Sequence, residues 1–315
     1  MIERKKLITM LFTLITIAAI IGFSVIACNN DNENRDDGNG NGNDGNGNGD
    51  DGNGNGDDEN LIFSDDFDGT SLDSKKWALI YEENNRQGRS SWRDDMVSVS
   101  GGYLHIKFRR DATLGASMSG DPKIANNWIR AGGIRTRSKD WTRILFQNTF
   151  GYYEARIKFP KISGTWGAFW LMSPTIDQDL NNGGEEGTEI DIVETIDNPK
   201  GGFNAALHWN GYGAAHKSVG SDDKYKSIPV NIYDGEFHTF AVHWTSSEYV
   251  FYVDDHEFWR VDGGSNFKNC GINRNPNYMK LTVESATWAG DIPVGFTEAE
   301  MTVDYVRVYK QPPQK

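Results

Sequence analysis

Cysteine is scarce in this chain, whose 315 residues include only two, Cys28 and Cys270. Because Cys28 belongs to a predicted leader segment, Cys270 has no partner, and no disulfide is expected to hold the folded part together. Residues 61–315 are nevertheless long enough to bury one large core without covalent crosslinks.

Sustained helical periodicity is also missing after the leader. From Leu61 onward, short runs rich in Val, Ile, Tyr, Phe and Trp alternate with clusters of Gly, Asn, Asp and Ser. This spacing predicts an all-β sandwich or barrel, although the pattern alone does not choose among them. The predicted strands include Met96–Val99, Tyr103–Phe108, Gly151–Phe159, Thr165–Met172, Phe203–Trp209, Thr239–Trp244, Tyr249–Val253, Met279–Ser285 and Met301–Tyr309.

The first 28 residues have the features of an export signal. Glu3–Lys6 carries a net positive charge, and Leu7–Ala27 is an uncharged run of apolar or small residues. The run is long enough for a transmembrane helix, so an uncleaved membrane anchor is the alternative. However, Val25–Cys28 resembles a bacterial lipoprotein box, in which the cysteine is acylated and becomes the mature N-terminus. We therefore predict an exported lipoprotein, anchored to a membrane through Cys28 at the cell surface or in the periplasm.

Residues 29–60 contain no apolar residue and consist almost entirely of Asn, Asp and Gly, with Arg35 as the only base. Nothing in this segment can be buried, so we predict a flexible acidic tether. The chain carries a net charge of −13, of which the tether contributes −9 and the leader +2, which leaves −6 for the predicted folded domain, residues 61–315.

The segment Glu189–Glu194 (EIDIVE) sets three carboxylates among aliphatic side chains, with no Lys or Arg between them. Successive side chains of a strand point to opposite faces, so Glu189 and Asp191 should share a face that Glu194 does not. One extra residue in a β-bulge would return Glu194 to that face. Two carboxylates about 5–5.5 Å apart are the machinery of a retaining glycosidase. The alternative is an ordinary solvated strand face.

The same segment resembles the signature of glycoside hydrolase family 16, in the form with one additional residue before the second glutamate. The resemblance extends over most of residues 61–311. It implies a β-jelly roll, in which two antiparallel sheets stack and one forms a concave cleft. It also implies double displacement, with Glu189 as nucleophile, Glu194 as acid/base and Asp191 between them, and no catalytic cofactor.

The resemblance further implies a set of substrate-binding residues. Trp166 and Trp170 lie in a segment similar to the family strand that precedes the catalytic one, and alternation puts both on one face. Trp288 resembles a late-strand tryptophan that lines the cleft in relatives, and His208 matches a histidine near their catalytic residues. Arg135 could donate hydrogen bonds to sugar hydroxyls. The alternatives are core packing for the tryptophans, a structural role for His208 and a surface salt bridge for Arg135.

A structural calcium ion is a further implication, because family terminal strands often flank one on the convex sheet. By position, Asp304 would provide a carboxylate, while Asp66 and Gly102 would provide backbone carbonyls. Oxygen ligands of this kind suit calcium. Acidic surface residues without a metal are the alternative.

The expected partner is a polysaccharide, and the sequence favours a β-1,3-glucan or a mixed β-1,3/1,4-glucan cleaved internally. Agarase, porphyranase, carrageenase and β-1,3-galactanase activities remain open, although the acidic domain gives no support for a sulfated substrate. Two hypotheses without catalysis also remain open, a non-catalytic glycan-binding lipoprotein and a purely structural surface protein. We expect a monomer with no nucleic-acid partner.

The lipoprotein prediction can be tested directly. We expect Cys28→Ser to release the protein from the membrane fraction, because the acylated residue is gone, and we expect mass spectrometry of the wild-type N-terminus to show a lipid on Cys28. An unmodified N-terminus, or a Cys28→Ser variant that stays equally membrane-bound, would contradict acylation.

Overall fold

The computed structural model describes residues 59–86, 88–196, 201–263, 270–286 and 289–314, with the backbone alone for 82–86. The predicted leader with Cys28, nearly all of the tether, and Trp288 lie outside these ranges, so the predictions made for them stay predictions. The folded part includes Asn60, whose carbonyl accepts a hydrogen bond from the backbone N–H of Lys310.

Among the described residues, eleven strands form one sheet. They are β1 (Leu61–Asp65), β3 (Glu82–Arg86), β4 (Ser90–Trp92), β5 (Val97–Ser100), β6 (Tyr103–Arg110), β7 (Ile129–Ala131), β9 (Gly151–Lys158), β14 (His238–Trp244), β15 (Glu248–Val253), β16 (His256–Asp262) and β18 (Glu298–Tyr309). Their order is β16-β15-β14-β9-β18-β6-β7-β4-β3, with β1 paired to β18 and β5 paired to β6.

Seven further strands of the described part form the second sheet, which carries the predicted catalytic segment. They are β2 (Ala78–Leu79), β8 (Gly133–Arg135), β10 (Trp166–Met172), β11 (Thr188–Glu194), β12 (Asn204–Trp209), β13 (Lys217–Gly220) and β17 (Tyr278–Glu284). Their order is β13-β12-β11-β10-β17-β8-β2. The described strand pairs are antiparallel except for β4 with β7, and the predicted all-β sandwich of two sheets is confirmed.

Two short helices interrupt the strands between β6 and β7, where the sequence analysis predicted none. They are α1 (Ala112–Met118) and α2 (Pro122–Asn126). Each begins after an aspartate whose carboxylate accepts a hydrogen bond from a backbone N–H of the first turn, 2.8 Å away in both helices. No helix in the described ranges is long and apolar enough to cross a membrane.

The core lies between the two sheets and is filled by the inward side chains of both. From the second sheet it takes Phe169 and Leu171 of β10, and from the first it takes Tyr153, Phe240 and Phe251, all with essentially no exposed surface. Much of its bulk is aromatic, and the tryptophans that are fully buried are Trp77, Trp92, Trp128, Trp209 and Trp244. Aromatic side chains of this size dominate the apolar area that a fold removes from water.

Strand β11 contains the bulge that the sequence predicted. Glu194 pairs with Ala168 and Asp191 pairs with Trp170, so three residue steps on β11 face only two on β10. The same shift appears against β12, on the other side of the strand. As a result Ile192 and Val193 both point into the core, where each is fully buried, and the strand returns Glu194 to the face that carries the other two carboxylates.

Candidate active site

The outer face of the second sheet forms the floor of an open cleft with a volume of about 560 Å³. Its floor comes from β10, β11 and β17, and its walls come from the loop after β10, the loop after β8 and the turn after β12. The residues that line it are Arg137, Trp141, Trp166, Ala168, Trp170, Met172, Ser173, Pro174, Ile176, Asp177, Glu189, Asp191, Tyr212, Tyr278, Lys280, Thr282 and Glu284. Acidic groups and aromatic rings therefore share one concave surface.

The three carboxylates of β11 are largely withdrawn from solvent. The exposed fractions of Glu189, Asp191 and Glu194 are 8%, 4% and 7%. Three acidic groups at this burial cannot all carry a full negative charge cheaply, since burial and mutual repulsion both favour the protonated form. Their protonation states are therefore set by the neighbours that each one has.

Glu194 is placed as a proton donor. Burial raises its pKa from an ordinary 4.5 to about 7, and the charges of Glu189 and Glu284 push in the same direction. Hydrogen bonds from the side chains of Asn204 and Trp166 oppose the rise, and the Asn204 amide lies 3.2 Å from Glu194 Oε2. A carboxyl with a pKa near neutrality can give up a proton and take it back, as a general acid/base must.

Asp191, between the two glutamates, has its pKa raised by burial and by the charges of both of them. The ammonium of Lys280, on β17 beyond the intervening strand β10, acts in the opposite direction. On the other side, His208 Nε2 of β12 lies 3.4 Å from Asp191 Oδ2. The structure therefore places His208 beside the carboxylates, as predicted from the resemblance, and adds Lys280, which sequence analysis did not single out.

Lys280 also contacts Trp170. Its ammonium lies 3.7 Å from the centre of the Trp170 ring, and the indole N–H donates to the Thr282 hydroxyl at 3.0 Å. Only 8% of the Trp170 surface is exposed. Trp170 lines the cleft with a buried cation over one ring face, and its role as a sugar platform stays a prediction.

Glu189, the predicted nucleophile, accepts a hydrogen bond at Oε2 from the hydroxyl of Tyr212. Ligand atoms of Glu189, Asp191 and His208 all lie within 4.8 Å of one another, which would also permit a shared metal ion. We assign no ion there, because each of the three groups has a place in the arrangement of protein side chains.

Two residues that sequence analysis passed over complete this side of the cleft. His216 Nε2 lies 3.0 Å from His208 Nδ1, with the two rings stacked at 5.2 Å. Burial, reinforced by His216, lowers the pKa of His208 to about 4, so the His208 ring is neutral at physiological pH. Tyr212 stacks on His216 at 5.5 Å. The sequence contained one indication of these two residues: both follow β12, which pairs with the strand that carries the three carboxylates.

Trp166 and Trp141 are two of the aromatic residues that line the cleft. Trp166 is half-buried at the start of β10, beside Glu194, and stays the predicted sugar platform. Trp141 was not predicted; it is 45% exposed, and Arg135 stacks on its ring at 3.6 Å.

Arg135 does not contact the cleft as predicted. Only 2% of its surface is exposed, and its guanidinium donates to the backbone carbonyls of Arg137, Ser138 and Lys139 at 2.9–3.1 Å. Its observed role is to hold the loop that carries Trp141, so the assignment as a sugar ligand is wrong.

The predicted calcium ligands, Asp304 and the backbone carbonyls of Asp66 and Gly102, are not tested by this structure, but the neighbours of the two carboxylates are clear. The carboxylate of Asp304 is paired with Arg156, and that of Asp66 with Arg307. Gly102 lies in the turn between β5 and β6 at a φ of +81°, which favours glycine whether or not its carbonyl holds an ion. Calcium therefore stays a prediction, and it would require Asp304 to exchange Arg156 for the metal.

Comparison with known proteins identifies relatives that match most of the folded part of this chain. The family model described as "Beta-porphyranase A-D, GH16 domain" matches residues 59–311. The glucan endo-1,3-beta-glucosidase A1 of Niallia circulans is 28% identical over 274 residues, which cover 80% of this chain and 38% of that protein. The keratan-sulfate endo-1,4-beta-galactosidase of Sphingobacterium multivorum is 29% identical over 265 residues, which cover 80% and 55%. This chain thus spans well under two thirds of the length of these two relatives.

Solved structures resemble the fold. The crystal structure of LamAcat from Zobellia galactanivorans matches with a TM-score of 0.59 and 23% identity, over 79% of this chain and 97% of that one. At this identity the likeness supports the jelly-roll fold and not a particular substrate.

The raised pKa of Glu194 predicts a stability effect with a definite sign. The unfolded chain releases this proton near pH 4.5, whereas the folded protein holds it until about pH 7. Folding becomes less favourable as pH rises through that window. Glu194→Gln does not titrate, so we expect it to raise the free energy of unfolding by roughly 3 kcal/mol at pH 8 and by little at pH 4.

Urea denaturation at the two pH values measures this difference. Glu298→Gln, at an exposed glutamate of the first sheet, is the control and should change stability little at either pH. An equal effect of Glu194→Gln at pH 4 and pH 8 would contradict the raised pKa.

Proposed function

Because the chain belongs to glycoside hydrolase family 16, we propose that it is a retaining endo-hydrolase of a β-linked polysaccharide. The observation that carries the proposal is the bulge of β11, which sets Glu194 on the same face of the second sheet as Glu189, and Glu189 lines the open cleft. The pKa of about 7 at Glu194 supplies an acid next to a carboxylate that already accepts a hydrogen bond.

The mechanism has two displacements. In the first, a carboxylate oxygen of Glu189 attacks the anomeric carbon, and the bond to the leaving oxygen breaks as Glu194 gives that oxygen its proton. In the second, Glu194, now ionised, takes a proton from water, and the water oxygen displaces Glu189 from the same carbon. Two inversions give net retention, and both carboxyl groups return to their starting protonation states.

Asp191 and its neighbours regulate the charge of this cycle. When Glu194 loses its proton, Glu189 loses its charge to the new ester bond, so the negative charge of the site moves from one glutamate to the other without changing in amount. The ammonium of Lys280 offsets part of the negative charge around Asp191, which lies between them. The neutral ring of His208 next to Asp191 adds a polar contact without adding charge. Preorganised groups of this kind stabilise developing charge at little reorganisation cost.

For the substrate we favour a sulfated galactan of the porphyran type. The matching family model is described by β-porphyranases, and a relative of similar coverage acts, by its name, on keratan sulfate. The cleft wall offers a cation for a sulfate ester: Arg137 lies 5.0 Å from the Trp141 ring centre and 5.6 Å from that of Tyr278. No ion pair joins Arg137 to a carboxylate within the described ranges, so its charge is available to an anionic ligand.

A β-1,3-glucan, the first choice from sequence, is the second candidate. It is supported by the glucan endo-1,3-beta-glucosidase of Niallia circulans, which has the same identity level and coverage of this chain. Trp166 and Trp141 would serve as stacking platforms for glucose as well as for galactose, because the apolar face of either sugar suits an indole.

We also propose internal cleavage and export. Glu189 lies on the floor of an open cleft whose lining continues from Trp166 to Trp141, so several sugars can lie across the scissile bond, and their binding can help to distort the reacting one. Export as a lipoprotein through Cys28 would place the enzyme where polysaccharides are met.

The catalytic roles are tested by substitution. We expect Glu189→Gln to abolish cleavage and Glu194→Gln to lower kcat by about 10²–10⁴-fold, since each removes a group that acts in the transition state. Asp191→Asn should also lose much of its activity, but less than the two glutamine variants. Circular dichroism checks that each variant is folded, and azide should restore turnover to Glu194→Ala with a β-glycosyl azide as product. Normal turnover by either glutamine variant would refute the assignment.

The substrate is tested with porphyran, agarose, laminarin and barley β-glucan. We expect cleavage of porphyran, with early products of mixed length and a fast drop in viscosity. Arg137→Gln should lower kcat/KM on porphyran by about 10–100-fold, because a charge-assisted contact is lost, and should leave agarose and laminarin little changed. Arg143→Gln, an exposed arginine outside the cleft lining, is the matched control. Cleavage of laminarin alone would favour the second candidate, and a single sugar or dimer as the only early product would contradict internal cleavage.

A further inference from the structure

The hydroxyl of Tyr212 reaches Glu189 from outside the second sheet. Tyr212 follows β12, and 59% of its surface is exposed, yet its hydroxyl enters the cleft and donates to Glu189 Oε2. Because most of the Tyr212 side chain is at the surface, burial alone does not explain why its hydroxyl lies on a buried carboxylate. Two features hold Tyr212 in this position, the backbone of the turn after β12 and the neighbouring histidine ring.

The turn is built to bring Tyr212 over the cleft. Asn210 and Gly211 both have positive φ, +63° and +64°, which reverses the chain immediately after β12. The backbone N–H of Gly211 donates to the carbonyl of Ile176 at 2.8 Å, and a Cβ on Gly211 would lie 3.3 Å from that of Asp177. The positive φ favours glycine at Gly211, and an added Cβ would also crowd Asp177 in the cleft wall.

The rings beside Tyr212 connect it to the other side of the site. Tyr212 stacks on His216, His216 is bonded to His208, and His208 lies 3.4 Å from Asp191. The turn after β12 therefore contacts Glu189 directly through Tyr212. It reaches Asp191 only indirectly, because His216 is hydrogen-bonded to His208 of β12, which lies beside that aspartate.

We propose that Tyr212 is the positioning residue of the nucleophile: its hydroxyl fixes the orientation of the Glu189 carboxylate and keeps it ionised for attack. This inference rests on the proposed function and goes beyond it, since the family motif contains no tyrosine. Donation of a hydrogen bond to an ionised carboxylate favours the charged form, which is the form that a nucleophile needs while two other acidic groups lie on the same strand.

The titratable groups described around Glu189, besides Tyr212, come from three strands. Its own strand β11 contributes two acidic groups, β12 contributes a neutral imidazole, and β17 contributes a phenol and, beside Asp191, a cation. These groups are Asp191, Glu194, His208, Tyr278 and Lys280. Removal of the Tyr212 hydroxyl takes one hydrogen-bond donor away from a carboxylate that has two acidic neighbours on its own strand.

The direct test is a pH titration of the Glu189 side-chain carboxyl by ¹³C NMR, assigned with Glu189→Gln. In Tyr212→Phe we expect the midpoint to rise by about 1–2 pH units, because the donor to the charged form is lost. The control is Tyr305→Phe, which also removes a tyrosine–glutamate hydrogen bond, from Tyr305 to Glu154 at 2.9 Å, but on the first sheet. It should leave the Glu189 midpoint unchanged. An unchanged midpoint in Tyr212→Phe would overturn the proposal.

Kinetics on the cleaved polysaccharide provide the second measurement. Tyr212→Phe should lower kcat about 10–100-fold with little change in KM, and the acid limb of the pH profile should move to higher pH with the NMR midpoint. A higher KM with an unmoved acid limb would mean that Tyr212 binds sugar only, and would overturn the positioning role. If the wild-type protein cleaves none of the polysaccharides, the proposed function fails, whereas the NMR titration still decides what Tyr212 does to Glu189.

Discussion

Repulsion among three buried carboxylates on one strand is the constraint that the rest of the site must satisfy. Burial alone would protonate all of Glu189, Asp191 and Glu194, and a retaining mechanism needs one of them charged and another protonated. The fold resolves this by giving each a different neighbour. Tyr212 donates to Glu189, and Lys280 offsets the charge at Asp191. Glu194 keeps its proton through burial and through the charge of Glu189.

The core makes this arrangement possible because it fixes β11 from below. Ile190, Ile192 and Val193 are fully buried between the sheets, and the bulge at Ile192 allows two consecutive residues to point inward. A strand without the bulge would turn Glu194 toward the core, among the aliphatic and aromatic side chains that fill the described space between the sheets. Packing thus determines which carboxylates can meet, and the cleft residues determine their charge.

Periodicity was sufficient to predict an all-β fold and to suggest the bulge that returns Glu194 to the face of Glu189, because strand alternation is a local property. The two-sheet jelly roll followed only from the family resemblance. Arg135 was misassigned for another reason. It lies where the resemblance placed it, but its bonding partners are backbone carbonyls of the loop that follows it. The Lys280 ammonium beside Trp170 was likewise not foreseen, because it comes from the neighbouring strand β17. Tyr212 was missed because its contact depends on two positive φ angles that sequence pattern does not report.

The stereochemistry of the first product tests the central claim most directly. If Glu189 and Glu194 act as nucleophile and acid/base from one bulged strand, cleavage of a β-linked polysaccharide must proceed with retention. Proton NMR during the first minutes of cleavage, before mutarotation, should therefore show the β-anomer at the new reducing end, with the α-anomer growing in later. Initial appearance of the α-anomer would mean inversion by an activated water, and would contradict the role assigned to Glu189.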